Sequence, residues 1–276
     1  MTPITSPHNS KLKQLRKLAR SRERAATALF VAEGEDLVLA AEAAGRMPLY
    51  GFCTPEGASC LPALPPAAAA AFEQVSPELL ASVSALASGT RVVGVYEQRF
   101  EKQAKGGLCV YLHGVGDPGN VGTVLRSALA FGASSVALGP GCADPHSAKA
   151  VRASMGAIFS VALARVEDVA ELPGTRVALV AGTGEPLAAL AQALSGSERE
   201  SLTLLVGAER DGLPEQVVGA CEHVARIPIA SESLNAAMAA TVALYEMTRS
   251  SSRSTDRGAR LAGLRPAAPP SRVPAR

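Results

Sequence analysis

Strand alternating with helix over most of its length predicts an α/β fold for this 276-residue chain, with a mostly parallel sheet covered on both faces. Three observations carry that expectation. Short apolar runs alternate with stretches of helical period from residue 108 to 248. A smaller unit of the same character occupies residues 1–97, and the polar, glycine-ended string QRFEKQAKGG at 98–107 reads as a linker between them. A hydrophobic content of 47% with 19% charged residues is that of a globular protein long enough to bury a core in two domains.

In order, Asn9 or Ser10 caps a helix running to about residue 21, with Leu12, Leu15 and Leu18 on one side and basic residues around the rest. Residues 28–31 read as a strand, 35–44 as a helix ended by Gly45, and 49–53 as a second strand. Proline, glycine and alanine make 55–66 a loop. A short strand at 72–75 follows, then a helix opened by Ser76-Pro77-Glu78 with proline at its first position, then a strand at 91–97. The larger unit continues with strand 108–112, helix 120–131 stopped by Gly132, strand 135–138 and a helical stretch at 147–154. Strands at 159–163, 176–181 and 202–206, helix 214–220, strand 223–229 and helix 233–248 complete it. In helix 120–131 the apolar face holds Val121, Val124, Leu125, Ala128 and Leu129, leaving Arg126 off the stripe. Residues 249–276, rich in Arg, Pro, Ser and Ala, have no apolar period and read as a basic disordered tail.

The net charge of +2 conceals an asymmetry. Residues 11–24 and residues 249–276 each carry a balance of +6, so basic ends flank an acidic body. That pattern points to a polyanion met by the ends, with Lys11, Lys13, Arg16 and Lys17 as the first contacts. Ser147, Lys149, Arg152 and Ser154 form a weaker group for phosphate contact, a solvated helix face being the alternative. Cys53, Cys60, Cys109, Cys142 and Cys221 are scattered without metal-ligand spacing, which implies free thiols in a reducing compartment and no metal site. No apolar run approaches a membrane span and the first residues have no apolar leader core, so a cytoplasmic location is expected.

The loop at 114–119 permits two readings. Gly114-Val115-Gly116-Asp117-Pro118-Gly119 matches GxGxxG, the dinucleotide fingerprint. Asp117 argues against it by setting a carboxylate where a pyrophosphate must approach. Val136-Ala137-Leu138-Gly139-Pro140 also stands where a ribose-binding acid is expected. The whole string DPGNVGTVLRSALAFGA instead resembles the first signature of the SpoU (TrmH-like) RNA ribose 2′-O-methyltransferases. Leu204-Leu205-Val206-Gly207-Ala208-Glu209-Arg210-Asp211-Gly212-Leu213 resembles the second. Ile227-Pro228-Ile229, then Ser233-Leu234-Asn235 and a helix, resemble the third. Thr5-Ser6-Pro7, Asn9, Lys13 and Phe30-Val31-Ala32-Glu33-Gly34 resemble the ribosomal-protein-like RNA-binding domain that often precedes the SpoU domain.

The resemblance implies a SPOUT α/β domain with a C-terminal trefoil knot, S-adenosylmethionine as cofactor, and a homodimer. An apolar last helix carrying Met238, Val242, Leu244 and Tyr245 fits the dimer. RNA is the implied substrate, ribosomal first and transfer RNA second. Arg126 would meet the target nucleotide and Glu209 would orient Arg126 and Asn120, while Ser233 and Asn235 open the last helix beside them. Backbone around Gly207, Ile227, Ile229 and Leu234 would cradle the adenosine. Asn120 and Ser233 as plain helix caps are the structural alternatives. The third motif departs from the family pattern, because only Ile229-Ala230-Ser231-Glu232 intervenes before Ser233. A more open cofactor pocket is expected from it. A non-catalytic RNA-binding protein on the same fold is the rival reading, and a nucleotide-dependent oxidoreductase the more distant one.

Overall fold

The computed structural model describes residues 4, 6–85 and 89–251, so most of the basic tail, from residue 252, lies outside the described residues. The chain runs α1 (Ser10–Lys17), α2 (Ser21–Thr27), β1 (Leu29–Glu33), α3 (Glu35–Ala43), β2 (Tyr50–Cys53), α4 (Pro66–Ala69), β3 (Phe72–Gln74), α5 (Pro77–Ala81) and β4 (Val92–Glu97). It continues with β5 (Leu108–Leu112), α6 (Pro118–Ala130), β6 (Ser135–Leu138), α7 (Ala148–Ala153), β7 (Ala162–Arg165), β8 (Thr175–Leu179), β9 (Glu185–Pro186) and α8 (Leu187–Ala193). The last elements are α9 (Gly196–Glu200), β10 (Leu202–Val206), α10 (Glu215–Gly219), β11 (His223–Arg226) and α11 (Ala236–Ser251). Strands β1, β4, β2 and β3 form the small sheet in that order, and β7-β6-β5-β10-β8-β11-β9 form the large one. Every pairing in the large sheet is parallel, as alternating strand and helix require.

Several expectations needed correction. The first helix does not run to residue 21; it stops at Lys17 and a second helix begins at Ser21. Arg24 is the reason, because its guanidinium turns back and donates to Leu18 O and Ala19 O, each at 2.9 Å. Those are carbonyls that the broken helix leaves without an internal partner. The loop expected at 55–66 contains a 3₁₀ turn at Gly57–Ala63. The strand expected at 159–163 begins only at Ala162. Gly156 explains this: at φ +91° it lies so close to Ala40 that an added Cβ would stand 2.4 Å from that methyl. The following residues, Ala157 to Phe159, make a 3₁₀ turn that drives Phe159 into the core. Leu129, assigned to the apolar stripe of α6, is 48% exposed, whereas Leu244 of α11 is fully buried. Helix α11 also runs past residue 248, so residues 249–251 belong to it.

The segment 98–107 is not a free spacer. Gln98 donates to the carbonyls of Arg24 and Leu29, Glu101 N donates to Leu163 O at 2.7 Å, and Ser135 Oγ bonds both N–H and C=O of Lys105. Beside it the two domains share one core. Phe30 and Tyr96 of the small sheet pack on Phe159 with ring centroids 5.7 and 4.9 Å apart, and Phe30 lies 4.8 Å from the ring of His146. Arg24 crosses the same boundary to Asp144 at 2.7 Å, buried to 5% exposure.

Candidate active site

Three loops leave the carboxyl edge of the large sheet close together, after β5, its neighbour β10, and β11, which β8 separates from β10. Chain order along the sheet reverses there: β5, β6 and β7 step outward one way, while β10, β8, β11 and β9 lie on the other side. Open parallel sheets bind ligands at such a switch point.

The first loop enters α6 through Asp117. Its carboxylate accepts from Gly119 N at 2.6 Å and Asn120 N at 3.1 Å, capping the helix, and its other oxygen meets Lys149 Nζ at 2.7 Å. Lys149 and these two N–H groups hold the Asp117 carboxyl below the usual carboxylate range. The helix terminus that a pyrophosphate would use is therefore occupied by the protein's own anion, and the GxGxxG match offers no seat for a dinucleotide. Asp117, not Asn120, is the cap. This frees the Asn120 side chain for a longer reach.

That side chain joins the other two loops. Asn235 caps α11, its Oδ1 accepting from Ala237 N at 2.9 Å and Met238 N at 3.3 Å. Its Nδ2 is thereby turned toward Asn120 Oδ1, 3.0 Å away. Asn120 is left with its Nδ2 as donor, and Glu209 Oε1 accepts it. The amide orientations form one consistent chain from the α11 backbone to the Glu209 carboxylate. Farther along, Ser127 Oγ and Thr241 Oγ1 at 2.6 Å tie α6 to α11 again.

Beside this chain lies a cleft of about 350 Å³. The end of β8 contributes Leu179 to Ala181. The loop after β10 contributes Gly207 to Arg210, and the segment between β11 and α11 contributes Ile227, Ile229 and Glu232 to Leu234. Gly207 fits here by necessity, since an added Cβ would stand 2.1 Å from the Gly212 carbonyl carbon. Its absence lets the chain fold back, with Ala208 and Gly212 exchanging backbone hydrogen bonds at 3.2 and 3.0 Å. Apolar walls with a charged mouth suit a flat ligand that carries a polar end.

The structure brings together Asn120, Glu209 and Asn235, and it sets Gly207, Glu209, Ile227, Ile229, Ser233 and Leu234 on the cleft wall. Ser233 is not the helix cap. Arg126 lies apart: it is exposed, six residues and roughly 9 Å along α6 from Asn120, and outside the cleft lining. Of the two contacts expected of Glu209, the one to Asn120 is present, and among the described residues there is none to Arg126.

Among the basic residues, Lys11 pairs with Glu73 at 2.5 Å, and Arg16 donates to Ser82 Oγ and Pro7 O. Lys149 is engaged by Asp117, while Lys13, Lys17 and Arg152 are exposed. Arg24, counted in the basic run, is interior. Arg210 and Glu232, which no sequence pattern singles out, are both exposed on the cleft wall. Arg210 stood inside the second motif, but nothing local marked it as facing a ligand.

Residues 107–245 match the SpoU rRNA methylase family, and residues 9–105 match the MRM3-like substrate binding domain. The chain is 35% identical over 176 residues to an uncharacterized tRNA/rRNA methyltransferase of Mycobacterium bovis, covering 61% of this chain and 56% of that protein's length. It is 30% identical to the 23S rRNA (guanosine(2553)-2′-O)-methyltransferase RlmP of Bacillus subtilis, over 90% of this chain and 99% of that one. An AdoMet-bound rRNA methyltransferase from Sinorhizobium meliloti superposes with a TM-score of 0.76 at 28% identity, over 90% of this chain and 97% of that one.

Proposed function

Because this chain belongs to the SpoU rRNA methylase family, we propose that it transfers a methyl group from S-adenosylmethionine to a ribose 2′-hydroxyl of RNA. Ribosomal RNA is the first choice of substrate, transfer RNA the second, and the cytoplasm the place. The observation that carries the reading is the chain Glu209–Asn120–Asn235, which links all three motifs beside a cleft at the sheet's switch point. The cleft residues fit the cofactor. Apolar Leu179, Val206, Ile227 and Leu234 suit an adenine ring, and Gly207 lets the loop after β10 fold back tightly to form one wall of the cleft. When bound, the cofactor supplies an electrophilic methyl group on a sulfonium.

The protein's own residues then hold the nucleophile in line and ease loss of its proton. Arg126, exposed on α6 outside the cleft lining, binds the substrate phosphate and stabilises developing alkoxide charge. Asn120 and Asn235 fix the loops around Glu209, and Ser233 lies within the same cleft. Lys13 and Lys17 on α1, with Lys11, Arg16 and the α7 face of Lys149 and Arg152, meet RNA phosphates. Leu129, Met238, Val242 and Tyr245, exposed on the packed pair α6 and α11, form the face of a homodimer. The short segment between Ile227 and Leu234 leaves the pocket more open than a longer loop would, with weaker cofactor affinity.

Purified protein given S-adenosylmethionine labelled in its methyl group and ribosomal RNA should yield RNA resistant to alkaline cleavage at one nucleotide. Retained RNA binding with no transfer, and no binding of S-adenosylmethionine at millimolar concentration, would replace this reading with the non-catalytic RNA-binding one.

A further inference from the structure

The charges around the cleft are not equivalent. Glu209 is committed to Asn120, and Asp117 and Lys149 are committed to each other outside the lining. Two charged side chains on the cleft wall remain without a hydrogen bond or ion pair among the described residues: Arg210 and Glu232. Each stands within a short turn. Arg210 is in the bend closed by the Ala208 and Gly212 backbone pair, and Glu232 lies between Ser231 and Ser233, whose hydroxyl-to-carbonyl contact is 3.3 Å. Among the described residues Arg210 is the only cation in the lining, and the two charges sit on different walls of one cleft, the first after β10 and the second after β11.

We infer that Arg210 and Glu232 bind the zwitterionic amino-acid end of the cofactor, the guanidinium taking its carboxylate and the carboxylate taking its ammonium. This rests on the cofactor reading above and extends it to residues that take no part in the three-motif chain. The apolar walls accept the adenine, which leaves the charged end for the mouth, where Arg210 and the free anion stand. A bidentate guanidinium–carboxylate contact is the stronger of the two. Glu232 lies in the shortened third motif, so the segment that gives less cover over the adenosine also supplies the anion.

Isothermal titration of the full chain with S-adenosylhomocysteine and with 5′-methylthioadenosine tests the assignment, because the second ligand lacks the amino-acid end. Wild type should prefer S-adenosylhomocysteine, and Arg210→Gln should reduce that preference about five- to ten-fold with methylthioadenosine affinity unchanged. Unchanged methylthioadenosine binding also shows that the variant is folded. Glu232→Gln should weaken S-adenosylhomocysteine by a smaller factor and leave a deaminated analogue, which keeps the carboxylate, unaffected. If methylthioadenosine binds wild type as well as S-adenosylhomocysteine does, or if the preference survives in both variants, the assignment is overturned while the cofactor reading stands. Loss of RNA affinity in Arg210→Gln with the preference intact would make Arg210 an RNA contact instead. Binding of neither ligand by wild type would overturn the assignment and the cofactor reading together.

Discussion

At the domain interface Arg24 is 5% exposed and its guanidinium is taken up by Asp144, Leu18 O and Ala19 O. His146 is 2% exposed between the rings of Phe30 and Phe100. In the cleft, by contrast, Arg210 and Glu232 are exposed with no protein partner among the described residues, and Arg126 on α6 is in the same condition. Both regions are rich in charge, but one uses it to fix the domains and the other leaves it in water. A charge withdrawn from water needs its partner in the same chain, because an unpaired one is strongly destabilising. A charge left in water without a partner contributes little to the fold. Changes at the interface should therefore act on stability, and changes at the open site on chemistry.

The largest effect is expected at the interface. Asp144→Ala removes the carboxylate from Arg24 and should lower unfolding free energy by about 3 kcal/mol, read from urea midpoints. Methyl transfer per folded molecule should be nearly unchanged. A stable variant with poor turnover would reverse that division of labour.

Arg126→Ala should do the opposite, reducing turnover by ~10²-fold or more while leaving the urea midpoint and the affinity for S-adenosylmethionine in place. Turnover within a few-fold of wild type would remove Arg126 from the site.

His146 sharpens the interface side through pH. Burial, above all, pushes its pKa from 6.5 down to about 4. Arg165, Arg24 and Arg46 act in the same direction and Asp144 opposes them. Between those two values the unfolded chain takes up a proton that the folded chain refuses. The stability contribution is therefore complete above pH 6.5 and is lost as pH falls toward 4. From pH 7 to 5 this amounts to about 2 kcal/mol, and His146→Gln should flatten that part of the curve.

The smallest effect concerns α1. Lys13→Gln with Lys17→Gln should lower the log–log salt slope of RNA binding by about 1.5, at ~0.7–0.9 for each phosphate no longer neutralised. Lys11→Gln should change it less, because Lys11 already faces Glu73. Equal effects at all three positions would show that RNA displaces Glu73 from its lysine.

Sequence alone determined what depends on near neighbours. Leu12, Leu15 and Leu18 recur at helical spacing and are all buried, Asn9 caps α1, and Ser76-Pro77 opens α5. Strand and helix alternate because side-chain periods of two and 3.6 are written locally. The order of the three motifs, and with it the family, was legible for the same reason. Tertiary structure decided the partners. Asn120 and Glu209 are 89 residues apart, Asn235 and Asn120 are 115 apart, and Arg24 and Asp144 are 120 apart. No local period distinguishes Arg24, which became interior, from Lys13 and Lys17, which stayed in water. Nor does one show that residues 98–107, polar enough for a spacer, would be bonded along both domains. Such choices depend on which surfaces meet once β10 has inserted between β5 and β8, and that insertion is fixed by the packing of the whole sheet.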